Sequence, residues 1–277
     1  MLHAFPDLAD QSVWLVVPLV AGLIALRYVV LAGGALALIT TFGRRLRHRR
    51  IQPIPFARRQ LWREFGYSML TALIFTLVGL FTVTVGREWG LSKVYLDPDQ
   101  HGLVWLLLSV PVVVLIHDTY FYWTHRFMHL PSVYERVHKV HHLSTNPSPL
   151  AAMAFHPLEA VIEAGVIVFL TMLVPIHIGV LAVWALYMFA TNVMGHLGYE
   201  LLPRGLATHP LFGWLNTATG HNQHHRTFRS NYGLYTTIWD RLMGTLHPRY
   251  AELYDRTTGS RPTPDAAERP VNTGAPS

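Results

Sequence analysis

Cysteine is missing altogether from the 277 residues. Disulfide frameworks, iron–sulfur clusters, haem–thiolate centres, cysteine zinc fingers and thiol nucleophiles are all excluded by that one absence. Charge is nearly as scarce: Asp, Glu, Lys and Arg make up 14% of the chain, against roughly 25% in a soluble globular protein. Neither HExxH nor a glycine-rich phosphate loop occurs, and no internal repeat of fixed period. Soluble di-iron carboxylate bundles need paired Glu-x-x-His motifs, and only Glu135-x-x-His138 has that spacing. What is present in excess is apolar surface, 51% of residues, and histidine, 17 of them. The length allows one or two domains, and the hydropathy favours a single membrane-embedded unit.

A membrane-spanning helix needs ~20 mostly apolar residues. Trp14 to Ile39 meets this with only Arg27 interrupting; acidic Asp7 and Asp10 precede it, and it is too long for a signal-peptide core. Gly66 to Gly86 is a second span. A third begins at Gly102 to Ile116 and can run on through Tyr120, Tyr122 and Trp123 into an interfacial aromatic zone. Ala160 to Asn192, which contains Pro175-Ile176-His177, is too long for one crossing at ~1.5 Å per residue. It reads as a two-helix hairpin that enters and returns. The expected fold is therefore all-α: an integral-membrane helical bundle of four to five spans or re-entrant helices, capped by a histidine-rich di-metal domain.

The net charge of +6 is concentrated in Arg44-Arg45-Leu46-Arg47-His48-Arg49-Arg50, directly after the first span. Such a run beside an apolar segment reads as a positive-inside anchor at anionic headgroups, not as a nucleic-acid footprint. The loop from Arg44 to Arg63 is then cytoplasmic and the N-terminus external. Following the spans, His117 to Pro157 and everything from His196 onward are expected on the cytoplasmic side. Residues 1–116 form the N-terminal membrane part, 117–250 the histidine-bearing region including the hairpin 160–192, and 251–277 a tail expected to be disordered.

Three local patterns concentrate the histidines. His117-Asp118-Thr119-Tyr120-Phe121-Tyr122-Trp123-Thr124-His125-Arg126-Phe127-Met128-His129 places His125 and His129 one helical turn apart. His138-Lys139-Val140-His141-His142 and His221-Asn222-Gln223-His224-His225 are both HxxHH, with their outer histidines at i and i+4. His196, in Gly195-His196-Leu197-Gly198-Tyr199-Glu200, joins them from the returning arm of the hairpin. Imidazole suits zinc, copper, iron and nickel. One metal takes about four to six ligands, so a cluster of this size implies two metals. Asp118 is a candidate carboxylate for orienting an imidazole. His156, before Pro157 and Glu159, reads as structural or as support to the ligands, and His209 before Pro210 is similar. His3, His48, His101, His177 and His247 have no partner at ligand spacing and are assigned no function, and Trp239-Asp240-Arg241 reads as readily as an anchor.

The segments HDTYFYWTHRFMH (117–129), HKVHH (138–142), NPSPLAAMAFHPLEA (146–160), HLGYE (196–200) and HNQHHRTFRSNYGLYTTIWDRLMGT (221–245) resemble the fatty acid hydroxylase/sterol desaturase superfamily of integral-membrane, non-haem di-iron enzymes. The resemblance covers most of His117 to Thr245. It implies that His125, His129, His138, His141, His142, His196, His221, His224 and His225 hold two irons, with His117, Glu200 or a water completing the set. Some members carry HxxxxH where this chain has HxxxH, and a further histidine near His196, which Asn192 and Glu200 flank here.

The resemblance also implies an O2-dependent oxidoreductase acting on an unactivated C–H bond of a lipid, giving a hydroxyl or a double bond. No dinucleotide fingerprint is present, so electrons would come from an external reductase through a cytochrome b5-like or ferredoxin-like carrier. The protein would be a multi-pass membrane enzyme, in the inner or plasma membrane of a bacterium or the endoplasmic reticulum of a eukaryote. The rival reading is a non-redox membrane protein, either a zinc lipid hydrolase or a transition-metal transporter. Transporters place their polar ligands within the spans, whereas here the boxes follow the spans and the first two contain no histidine.

Overall fold

The computed structural model describes residues 13–259 and is helical almost throughout. His3 lies outside the described residues. Helix α1 (Val13–Tyr28) continues through a π-helical turn, Val29–Gly33, into α2 (Gly34–Phe42), so the first span runs three residues past Ile39. Helix α3 (Arg58–Val83) and the short α4 (Val85–Glu88) form the second rod. Helix α5 runs unbroken from Gly102–Met128. The division expected between residues 116 and 117 therefore falls inside one helix, and the membrane part and the histidine region share it.

The hairpin forms. Pro157 opens α8 (Pro157–Leu173), because its missing N–H costs nothing in the first turn. After an extended Val174, Ile176–His177 pairs in parallel with Val94–Tyr95, which ties the hairpin tip to the connection between α4 and α5. Helix α9 (Ile178–Gly195) then returns. His177 caps it, its Nδ1 accepting from Gly179 N–H at 3.1 Å while its Nε2–H donates to the Leu96 carbonyl at 3.0 Å. Shorter helices cover the opposite end: α6 (Pro131–Val137), α7 (Lys139–His142), α10 (Ala218–Thr227), α11 (Ile238–Leu242) and α12 (Tyr250–Thr258).

Among the described residues, four helical segments are long and apolar enough to cross a membrane: Trp14–Phe42, Arg58–Glu88, Gly102–Met128 and Ile178–Gly195. Their burial pattern runs opposite to that of a soluble protein. Leu15, Leu19, Leu23 and Leu26 face outward on α1, as do Leu103, Val104, Leu107 and Leu115 on α5, while Glu64, Ser68, Thr71 and Thr76 are buried on α3. Apolar exterior and polar helix contacts are what lipid solvation favours. The chain is a multi-pass, all-α membrane protein.

The expectation of disorder from residue 251 needs correcting. Tyr250 and Tyr254, one turn apart, are buried against Ala207, and the Tyr254 hydroxyl donates to the Pro203 carbonyl at 2.6 Å. Those two anchors order the chain to Thr258; the tail from residue 260 lies outside the described residues.

Glu64 fastens the second span to the capping layer. Its carboxylate accepts from Gln60 Nε2 and Ser144 Oγ, both at 2.7 Å, and from Ser148 Oγ. Ser144 and Ser148 flank the segment that follows the first HxxHH box, so this buried acid sets the height of that segment over the bundle. Glu64→Ala orphans three donors in a site closed to water. It is expected to lower stability by about 3 kcal/mol, read as a fall in the unfolding midpoint in detergent, with Gln60→Ala costing clearly less.

Candidate metal centre

The nine histidines are delivered by four pieces of the chain: the end of α5, α7 with its cap, the end of α9 and α10. His125 lies in the last turn of α5 and His129 caps its C-terminus; His138 caps α7, which carries His141 and His142. His196 follows the last residue of α9, and α10 carries His221, His224 and His225. All but the half-buried His129 are buried. Together they form two groups: His125, His129, His138, His142 and His224 in one, His141, His196, His221 and His225 in the other, with ring nitrogens lying within 4.8 Å of one another in each. Each HxxHH box splits between them. The outer pair of the first box joins the group of five and its middle histidine the group of four; the second box does the reverse. The helical i, i+4 pair shares a face while i+3 points aside.

Hydrogen bonds at the far ring nitrogens decide what the near ones can do. His125 Nδ1 donates to the Tyr232 carbonyl at 2.8 Å, His224 Nδ1 to the Ser230 carbonyl at 2.7 Å and His196 Nδ1 to the Asn192 carbonyl at 2.8 Å. His138 Nδ1 donates to Glu159 Oε1 at 2.7 Å. A carbonyl can only accept, so the proton sits on Nδ1 and Nε2 carries a bare lone pair. Yet His125 Nε2 and His138 Nε2 approach to 3.1 Å. His142 Nε2 lies 3.0 Å from His138 Nε2 and 3.1 Å from His224 Nε2. Lone pair facing lone pair is repulsive unless a cation stands between. In the second group, His221 Nε2 lies 3.1 Å from His196 Nε2 and 3.2 Å from His225 Nε2.

Burial holds the cluster neutral. It pushes His129, His138, His141, His142, His221 and His225 well below the usual imidazole range, with neighbouring imidazoles adding to the effect. Burial also lowers His196 to about 4. Neutral imidazole with a free Nε2 is the state that binds a transition metal. The donor set thus fits two nitrogen-bound cations of the kind iron supplies. The Nδ1 atoms of His141, His142 and His225 are buried with no partner among the described residues, so no described group fixes the tautomer of these three rings.

The four remaining candidates lie outside both groups. His117 Nδ1 meets the Tyr235 hydroxyl at 2.8 Å and the Trp184 indole N–H at 3.3 Å. Asp118 touches no imidazole; it accepts from the backbone N–H of Tyr235 at 2.9 Å and from Thr236. It orients a loop where it was expected to orient a ring. Glu200 accepts from the backbone and hydroxyl of Thr219, both at 2.9 Å, in the first turn of α10. His156 caps α8 through Leu158 N–H at 3.3 Å. The carboxylate that does orient an imidazole is Glu159, which sequence reasoning passed over. Its signal was an acid in the first turn of a strongly apolar helix. Asp240 completes the support, accepting from the N–H groups of Tyr232 and Gly233, both at 2.9 Å, in the loop whose carbonyls hold His125 and His224. A side chain at Gly233 would run into the Thr236 carbonyl, so only glycine lets this loop close.

A cavity of about 320 Å³ lies among the membrane helices and ends against the cluster. Phe155 and Phe121 line it, and their rings stand 5.2 Å from that of His141 and 5.0 Å from that of His125. Asn192, whose carbonyl holds His196, lines it too.

The fatty acid hydroxylase family model matches residues 110–245. A Delta(7)-sterol 5(6)-desaturase of Gibberella zeae is 32% identical over 82% of this chain and 67% of its own length. The chain belongs to the fatty acid hydroxylase/sterol desaturase family. Lathosterol oxidase of Homo sapiens is 29% identical over 69% of this chain and 62% of its own, and a sterol desaturase of Aspergillus fumigatus 32% identical over 73% and 55%. The chain thus spans between about half and two thirds of the length of these relatives. No solved structure matches it. In this family member the buried Glu159–His138 pair is the support most exposed to test. Glu159→Leu is expected to weaken metal binding about 10- to 100-fold, read as metal retained per chain against a graded chelator, with the helix content unchanged.

Proposed function

We propose that the chain is a membrane-bound, O2-dependent lipid oxidoreductase, a hydroxylase or desaturase, with two non-haem irons held by the nine histidines. The observation that carries this reading is the pair of imidazole groups, whose tautomers turn bare Nε2 lone pairs toward one another at the end of an apolar cavity. When bound, the irons supply the activation of O2 and the oxidation of an unactivated C–H bond. The chain's own residues do the rest. Tyr232, Ser230 and Asn192 carbonyls and the Glu159 carboxylate hold the rings in register. Phe121 and Phe155 close the cavity against the rings, so an alkyl carbon can approach while bulk water is kept out.

The relatives named as sterol desaturases make a sterol-type lipid the first substrate class to try. Electrons reach the site from a separate reductase and a cytochrome b5-like or ferredoxin-like carrier. The basic segment suits an acidic carrier of that kind, because it packs directly over the cluster: Gln52 Nε2 donates to Asn222 Oδ1 at 2.8 Å, and Glu200 N–H to the Arg49 carbonyl at 2.8 Å. By the positive-inside rule this end of the bundle faces the cytoplasm.

Two measurements test the reading. Cells expressing the chain are expected to accumulate a lipid changed by one added oxygen or two lost hydrogens, only in the presence of O2, and the purified protein is expected to retain iron. Lipid turnover without O2 would sink it. His141→Ala and His225→Ala are each expected to abolish turnover, whereas His177→Ala, at the far end of α9, leaves it nearly intact.

A further inference from the structure

The cavity wall is mostly apolar; among its polar side chains His117 and Glu163 each offer an atom with no partner among the described residues, as does Arg27 through its Nε. His117 is the first. The Trp184 indole can only donate, and it is directed at His117 Nδ1 at 3.3 Å. Nδ1 is therefore the acceptor, and the His117 proton sits on Nε2, for which no acceptor is found among the described residues. The second is Glu163, on α8, whose carboxyl makes no hydrogen bond or ion pair among the described residues. Both line the cavity. The two also lie at similar depth: the Tyr120 hydroxyl donates to the Ile162 carbonyl at 2.7 Å, which levels the α5 turn containing His117 with the α8 turn containing Glu163.

A donor and an acceptor set apart in an apolar cavity match one kind of group, a hydroxyl, which accepts from one and donates to the other. An ionised fatty-acid head has no proton to give the Glu163 acceptor, so it cannot make both bonds. Arg27 also lines the cavity, but its guanidinium is turned to the Ala185 carbonyl at 3.1 Å and stacked over Phe189. We infer that His117 and Glu163 grip the hydroxyl of an alcohol-headed lipid inside the membrane bundle, and so select that class over fatty acids. His117 sits eight residues before His125 on the same helix, about 12 Å along its axis. A head held there fixes which carbon is presented to the imidazole cluster. Both residues act as positioning residues. The inference rests on the proposed lipid oxidoreductase function, whose substrate class it narrows.

The test is equilibrium binding to the iron-loaded full chain in nanodiscs without O2, with three labelled probes: a 3-hydroxysterol, its 3-O-methyl ether and stearic acid. The hydroxysterol is expected to bind about tenfold tighter than the ether, the scale of one well-made buried hydrogen bond, and tighter than stearic acid. His117→Phe, which removes the donor that both oxygens accept from, is expected to weaken alcohol and ether alike by about tenfold, and Glu163→Leu to erase the preference for alcohol over ether with ether affinity unchanged; iron content is unchanged in both. Glu163→Gln, which keeps an acceptor, is expected to restore most of that preference. Equal affinity of wild type for alcohol and ether, or tighter binding of stearic acid, overturns the inference without any variant having to fold. O2-dependent turnover is measured beside binding. Turnover without alcohol preference condemns only the hydroxyl grip, whereas preference without turnover condemns only the oxidoreductase reading.

Discussion

The capping layer is organised around electrostatic repulsion that the protein itself creates. By turning the Nδ1–H groups of His125 and His138 onto a backbone carbonyl and a carboxylate, it obliges their Nε2 atoms to present lone pairs to each other at hydrogen-bond distance. Burial then removes the usual escape, which is to protonate one ring of the pair. An arrangement of this kind is unfavourable by itself and favourable around a cation. Its cost is borne by the surrounding hydrogen bonds, which is why the loop from Ser230 to Thr236 is clamped from both sides by Asp118 and Asp240.

The membrane helices serve the same end by different means. Their lipid-facing surfaces need only be apolar, so the bundle can reserve its polar residues for tying the capping layer down. Glu64 reaches Ser144 and Ser148, and Tyr28 reaches the Leu150 carbonyl at 3.1 Å from the turn just before the π-helical segment. Because α5 passes without a break from the cavity wall to the His125 ring, one helix carries both His117 and Phe121 of the cavity and His125 of the imidazole cluster.

The spans, the hairpin and the nine clustered histidines were legible in the sequence because each has a period or a length: apolar runs, a block too long for one crossing, and i, i+4 spacing. What the sequence concealed were contacts made through groups that carry no residue signature. The carbonyls of Asn192, Ser230 and Tyr232 could belong to any residue type. Asp118 looked like a ring-orienting carboxylate by its proximity in sequence, but on a helix seven positions bring it to another turn, and the loop it holds is 117 residues away. Glu159 stands in plain view two residues after Pro157, and only the fold brings it to His138, 21 residues before it. The ordered Tyr250–Thr258 helix was hidden in the same way, since two tyrosines in a polar stretch announce docking only once their partner surface is known.

The split of each HxxHH box between the two imidazole groups has a consequence for assembly. Neither box belongs to one group, so neither group can be completed while the other is left slack: α7 and α10 must both be seated before either has its full complement. Both groups therefore depend on the same two helices being seated. Inserting a single residue into α10 would not impair one group and spare the other. It would rotate His221, His224 and His225 by about 100° and dismantle both at once.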